Sequence, residues 1–316
     1  MSRLRALIAL GGNAMTGQGG DAAPAEQDRA IRFAMDRVAD LVGEGVDVLL
    51  THGNGPQVGN LLVKNELAAH VVPPVPLDWC GAQTQGTIGF LVLDALESAL
   101  AARGLETRVA AVVTRTLVDG QDPGFGKPTK PIGRYLPEPQ ARALMDHGQV
   151  WEDRGSRGWR RVVASPEPLE ILDAPAIAAL AAAGYVVLGA GGGGIPVVRG
   201  RDGVLRGVEA VIDKDLSAAL LARSADVDVL VIATDVEHVV LGWGTDDQHP
   251  IGRVSAEEMR RIQKEHDFAS GSMGPKVEAA LRFVEAGGTR SVISSLENIE
   301  QAVHGRAGTV IEPERQ

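Results

Sequence analysis

The stretches ALIALGGNA (residues 6–14) and VDVLLTHGNGPQVG (46–59) decide how this chain is read. Each is an apolar run that breaks into glycines carrying an asparagine, Asn13 in one and Asn54 in the other. A short continuous apolar run closed by glycine reads as a buried strand feeding a tight loop. Between the two, Ile31, Met35, Val38 and Leu41 recur at helical spacing, and Gly43 and Gly45 mark the stop.

The same alternation continues outward. Strands are expected at Arg108–Leu117, Tyr185–Leu188, Val227–Ala233, Ser291–Ser294 and Thr309–Ile311, and helices at Gln57–His70, Gln83–Ala102 and Lys276–Glu285. Strand–helix alternation with continuous apolar strands implies an α/β protein, a mainly parallel sheet sandwiched by helices. Residues 119–168 break the rhythm. They are rich in Pro, Gly, Trp and Arg, and they read as an insertion with a small core around Trp151, Trp159 and Tyr135. At 197–213 an alternating pattern about Asp202-Gly203 predicts a β-hairpin.

The chain has 316 residues, 44% hydrophobic and only 3% aromatic, so its core must be aliphatic. Its formal net charge of −10 argues against nucleic acid as a partner, but a local cation cluster can still hold a small anion. Cys80 is the single cysteine, which excludes an internal disulfide and suggests a reducing compartment. No stretch is long and apolar enough to span a bilayer, and the opening MSRLRALIAL lacks a cleavage pattern. A cytoplasmic location is the expectation.

In parallel sheets, ligands gather at the carboxyl ends of the strands. Glycine loops follow strands at Gly11-Gly12-Asn13, Gly53-Asn54-Gly55 and 189–194, and a fourth strand ends in Thr234-Asp235. Their backbone N–H groups suit an oxyanion. GAGGGG (189–194) matches the spacing of a dinucleotide fingerprint, with Glu209 beyond it. A proline and the hairpin follow, however, where that motif needs a helix. No Walker A sequence occurs.

Lysines narrow the chemistry. Of 31 Lys and Arg, only six are lysines. Lys64 and Lys264 lie in polar helical stretches and are expected to be solvated. Lys127 and Lys130 sit in GKPTKPIG, Lys214 in VIDKDLS, and Lys276 in GSMGPKVEA. A compact, mobile ammonium suits a phosphoryl group in transit. Asp213 and Asp215 flank Lys214 and are expected to hold it, touch a metal, or cap the helix that follows. No cluster has metal-ligand spacing, and neither His52 nor Cys80 has a local partner for nucleophilic catalysis.

Together ALGGNA, HGNGPQVGNLL, PTKPIG, SRGWRRVVASPEP, GGGGIPVV, GVEAVIDKDL and GSMGPKVEAA resemble the carbamate kinases of the amino acid kinase superfamily. These motifs run in family order from residue 6 to about residue 298. The resemblance implies one amino acid kinase-like domain over 1–316, a three-layer αβα sandwich around an open sheet. It also implies a small protruding lid subdomain inserted at 119–168, and a homodimer. It implies reversible phosphoryl transfer between ATP and carbamate, giving ADP and carbamoyl phosphate, with Mg²⁺ held mainly by the nucleotide phosphates.

Carried over residue by residue, Gly11, Gly12 and Asn13 would bind the transferring phosphoryl group, and Gly53 and Asn54 would line the carbamate pocket. Lys130 would reach down from the lid. Lys214 and Lys276 would neutralise nucleotide phosphates, oriented by Asp215, with Met273, Gly274 and Asp235 beside the nucleotide. The chain departs from the family pattern at Ala164, where the family has proline, at Glu167, often lysine, and at Asp235, often a small residue. Two other readings stand beside this one: a kinase of another small carboxylate, and a non-catalytic nucleotide-binding sensor.

Overall fold

From Ala6 to Leu10 no residue is exposed, because both faces of this strand are covered. Ala6, Ile8 and Leu10 enter one apolar cluster while Leu7 and Ala9 enter another. The two-residue repeat of a strand sends neighbours to opposite faces, so an unbroken apolar run is what a doubly covered strand requires. The computed structural model describes residues 3–12, 15–16, 23–146, 148–266, 268 and 273–314.

Among the described residues the main sheet has eight strands. In spatial order they are Arg253–Ser255, Thr309–Glu312, Arg290–Ser295, Val229–Thr234, Arg5–Leu10, Asp47–His52, Val186–Leu188 and Val109–Ala111. Neighbours are parallel except Arg290–Ser295 with Thr309–Glu312, which are antiparallel. Helices Pro24–Gly43, Leu77–Ala102 and Ile299–Val303 pack on one face. Ala174–Ala182, Lys214–Ser224 and Met273–Glu285 pack on the other. This is the three-layer αβα arrangement.

The single strand expected at Arg108–Leu117 is two. Val109–Ala111 closes the main sheet, and Arg115–Val118 joins a second sheet with Ile195–Arg199, Leu205–Gly207 and Pro168–Ile171. Gln85 holds the crossing between them: its Oε1 accepts from Thr114 N and its Nε2 donates to Thr114 O. The hairpin expected about Asp202-Gly203 is present, with Val197 opposite Gly207.

Strands Lys130–Leu136, Val150–Asp153 and Trp159–Val163 form a separate antiparallel sheet. Helix Glu138–Met145 covers it, and Leu136, Ala141 and Trp151 are buried beneath, with Leu144 and Trp159 against them. Tyr135, expected in that core, is instead on the outside. The Arg160 guanidinium lies over its ring, 5.1 Å from the centroid. Ile132 and Val163 anchor the base of this sheet to the main body through Val58, Leu62, Leu77 and Cys80.

Candidate active site

The two opening loops touch. Gly53 N donates to the Leu10 carbonyl and Gly11 N to the Ala233 carbonyl, each at 2.9 Å, so the three strand ends are tied side by side. A Cβ on Gly53 would stand 2.7 Å from the Gly12 nitrogen, closer than a real side chain approaches. Glycine is therefore needed there for contact between the loops. Asn13 lies outside the described residues.

Asn54 donates through Nδ2 to Thr84 Oγ1 at 2.9 Å, and that hydroxyl donates to the Gly81 carbonyl at 2.7 Å. The third glycine loop presses on the same asparagine. Gly192 has φ +67°, and a Cβ on it would lie 2.1 Å from Asn54 Nδ2. Gln85, Thr116 and Ser217 donate to carbonyls of that loop, at Gly191, Gly193 and Gly193 respectively. Buried polar side chains thus fix the loop where apolar packing cannot.

Helix Lys214–Ser224 starts at this edge. Its N-cap is Asp213, whose Oδ1 accepts from Asp215 N at 2.9 Å and Leu216 N at 3.4 Å. Lys214 Nζ reaches Asp215 Oδ1 at 2.5 Å, and Lys276 Nζ, from helix Met273–Glu285, reaches Asp215 Oδ2 at 2.9 Å. All three side chains are nearly closed to solvent: 10% exposed for Lys214, 8% for Lys276 and 4% for Asp215. Burial alone would push the Asp215 carboxyl up, but the two ammonium groups together hold it at about 2. Burial pushes the Lys214 ammonium down, opposed by Asp215 and reinforced by Lys276.

Lys214 and Lys276 share the single Asp215 carboxylate between two ammonium groups, so the trio carries a net positive charge at a largely buried position. Such an arrangement is costly until an anion completes it.

Lys130 begins the first strand of the small sheet, and its Nζ is 2.7 Å from Asp213 Oδ2. A cavity of about 950 Å³ opens in front of these groups. Gly11, Gly12, Gly53, Asn54, Lys214 and Lys276 lie on its wall, with Asp215, Asp235 and Gly192. Its cations are three lysines with Arg134 and Arg160 of the small sheet and Arg157 of the turn between two of its strands, against three aspartates. A second cavity, about 570 Å³, adjoins it and is lined by Leu216, Gln263, Phe268, Gly274 and Glu278. Lys130, Pro131 and Asp213 line both. Met273 packs partly buried against the neighbouring core. Asp235 Oδ1 accepts from Thr234 Oγ1 at 3.0 Å.

His52, at the end of its strand, is 1% exposed, and its Nδ1 lies 3.0 Å from the Gly53 carbonyl. A carbonyl only accepts, so Nδ1 carries the proton. Burial lowers this imidazole's pKa to about 4, with Lys214 adding to the effect and the Gly53 carbonyl opposing it.

The family model for the amino acid kinase family matches residues 5–295. The chain belongs to that family. It is 45% identical over 312 residues to carbamate kinase of Thermococcus kodakarensis, covering 97% of this chain and 98% of the relative. It is 46% identical to the carbamate kinase-like protein YahI of Escherichia coli, covering 96% and 98%. Among solved structures, carbamate kinase from Giardia lamblia bound to AMP-PNP superposes with a TM-score of 0.93 at 38% identity, covering 99% of each chain.

Among the described residues, the structure brings together Gly11, Gly12, Gly53, Asn54, Lys130, Lys214, Asp215, Asp235 and Lys276 around one cavity, with Gly274 at its neighbour. Lys127 and Lys64 are exposed and line neither cavity. Arg134, Arg157 and Arg160 were not singled out from sequence. SRGWRRVV did hold two of them in one motif, but in a chain where most cations are arginine that signal is weak.

Proposed function

We propose that this enzyme transfers a phosphoryl group reversibly between ATP and carbamate, yielding ADP and carbamoyl phosphate. One observation carries the reading: Lys214 and Lys276, both buried, share Asp215 and face the glycine loops across a single cavity. The full-length likeness to proteins named carbamate kinase supports the choice of acceptor.

In this account the Gly53-Asn54 loop holds carbamate and the Gly11-Gly12 loop holds the transferring group, so acceptor and phosphorus face each other in line. A carbamate oxygen attacks the γ-phosphorus while the bond to the ADP oxygen breaks. Carbamate already carries its negative oxygen, so no proton has to move and no general base is required. Charge spreads over the equatorial oxygens of a loose transition state. Lys214 and Lys276, held by Asp215, meet that charge from the body, and Lys130 meets it from the small sheet, which acts as a lid. The nucleotide lies toward the cavity lined by Gly274, beside Met273.

Among the described residues no three metal-ligating side chains meet at one point. Both oxygens of Asp213 and of Asp215 are engaged by N–H groups. With those oxygens engaged, Mg²⁺ would be held mainly by the nucleotide phosphates, and Asp235 is the further carboxylate on the cavity wall that would face it. When bound, the ion draws charge from the phosphate oxygens. A homodimer and a cytoplasmic location go with this reading. Among the described residues no helix is long and apolar enough to cross a membrane. The dimer contact is expected on faces other than the glycine-loop edge.

The test is ATP formation by the purified protein from ADP and carbamoyl phosphate, with acetyl phosphate as rival donor. ATP from carbamoyl phosphate at the higher kcat/KM is expected. A preference for acetyl phosphate would move the acceptor to another small carboxylate, and no ATP from either would leave a nucleotide-binding sensor.

A further inference from the structure

Asp213 does two things with one carboxylate. Its Oδ1 is fixed by the backbone N–H groups of Asp215 and Leu216, and its Oδ2 takes the Lys130 ammonium at 2.7 Å. The carboxylate is 12% exposed, whereas Lys130 remains 34% exposed. Neighbouring Asp215 offers no alternative, because both of its oxygens are taken by Lys214 and Lys276. The Lys130–Asp213 pair stands on the wall shared by the two cavities.

This ion pair is not what fastens the small sheet to the body. Ile132 and Val163 already do so through Val58, Leu62, Leu77 and Cys80, and a Cβ on Gly59 would lie 3.2 Å from the Gly133 Cα. The ion pair instead sets where one long, rotatable side chain ends. A carboxylate locked to a helix N-terminus is a stiff anchor for a flexible ammonium.

We propose that Asp213 is a positioning residue that aims Lys130 at the boundary between the nucleotide cavity and the acceptor cavity, coupling the lid to the helix that carries Lys214. This rests on the reading above, in which Lys130 acts on the transferred group. Asp213 acts through Lys130. It holds the ammonium on the transfer line before the phosphates arrive, and the ammonium swings from the carboxylate to the phosphoryl oxygens as charge develops there.

The experiment is a double-mutant cycle of Asp213→Asn with Lys130→Ala, reading kcat, KM for ADP and melting temperature. Asparagine caps helices as well as aspartate but carries no charge. Asp213→Asn alone is expected to lower kcat about tenfold or more, with KM for ADP within a few-fold and melting little changed. In the Lys130→Ala background the same substitution should have no further effect on kcat. Turnover at or above wild type in Asp213→Asn, with Lys130→Ala impaired, overturns the role of Asp213 and leaves that of Lys130 standing. An equal loss in both backgrounds also overturns it, since Asp213 would then act without Lys130. Full turnover in Lys130→Ala instead removes the underlying reading. Should Asp213→Asn fail to fold, Asp213→Ser, another uncharged capping residue, takes its place in the cycle.

Discussion

Lowering the pH should destabilise this protein through His52, and the size of the effect follows from its surroundings. The imidazole is closed to solvent, donates to the Gly53 carbonyl and sits near Lys214. Burial first, and then the lysine, bring its pKa from 6.5 to about 4. The folded state therefore refuses a proton that the unfolded chain accepts. The stabilising contribution is complete above about pH 6.5, shrinks as pH falls, and levels off only below about pH 4. Over that window the loss amounts to about 3 kcal/mol, at about 1.4 kcal/mol per pH unit in its middle.

The assay is urea unfolding of the wild type and of His52→Asn across that window. The Asn amide can still donate to Gly53 but does not titrate. Subtracting the two curves removes the titrating groups common to both. The difference should fall toward low pH with the one-proton slope. Parallel curves would refute the assignment of a buried neutral imidazole beneath the acceptor loop.

Two further perturbations test the site itself. Lys214→Ala and Lys276→Ala should each lower turnover about 10²-fold or more, as losing a preorganised transition-state charge does; near wild-type turnover in a folded variant would remove that lysine from the mechanism. Gly192→Ala should raise the KM for carbamoyl phosphate while leaving that for ADP nearly unchanged. Its Cβ would fall 2.1 Å from Asn54 Nδ2 at a φ of +67°, so the asparagine must shift; an unaltered KM would show that Asn54 does not shape the acceptor pocket.

What the sequence reveals here is what short-range patterns and a parallel sheet determine between them. A glycine run after an apolar strand lands at the strand's carboxyl end, so Gly12, Gly53 and Gly192 had to share one edge. Lysines are scarce enough that each unusual setting stood out. The Lys130–Asp213 contact was not legible, because it spans 83 residues and depends on how the small sheet docks. Arg134, Arg157 and Arg160 were hidden by the abundance of arginine. The break between Val109–Ala111 and Arg115–Val118 carries no glycine or proline; it is made by the remote Gln85. Strand direction was equally silent at Thr309–Glu312, whose apolar run looks the same either way round. Tyr135 precedes buried Leu136 in one strand and so faces the opposite, outer side, which counting aromatics in the segment does not record.

The central claim is that the two glycine loops hold donor and acceptor face to face, so that the phosphoryl group passes directly between them with no covalent enzyme intermediate. The stereochemical course at phosphorus tests it most directly, using ATP made chiral at the γ-phosphoryl group by oxygen isotopes and carbamate as acceptor. A single in-line displacement inverts the phosphorus, and inversion is the result this account predicts. Retention of configuration, the mark of two successive displacements through a phosphorylated side chain, would contradict it.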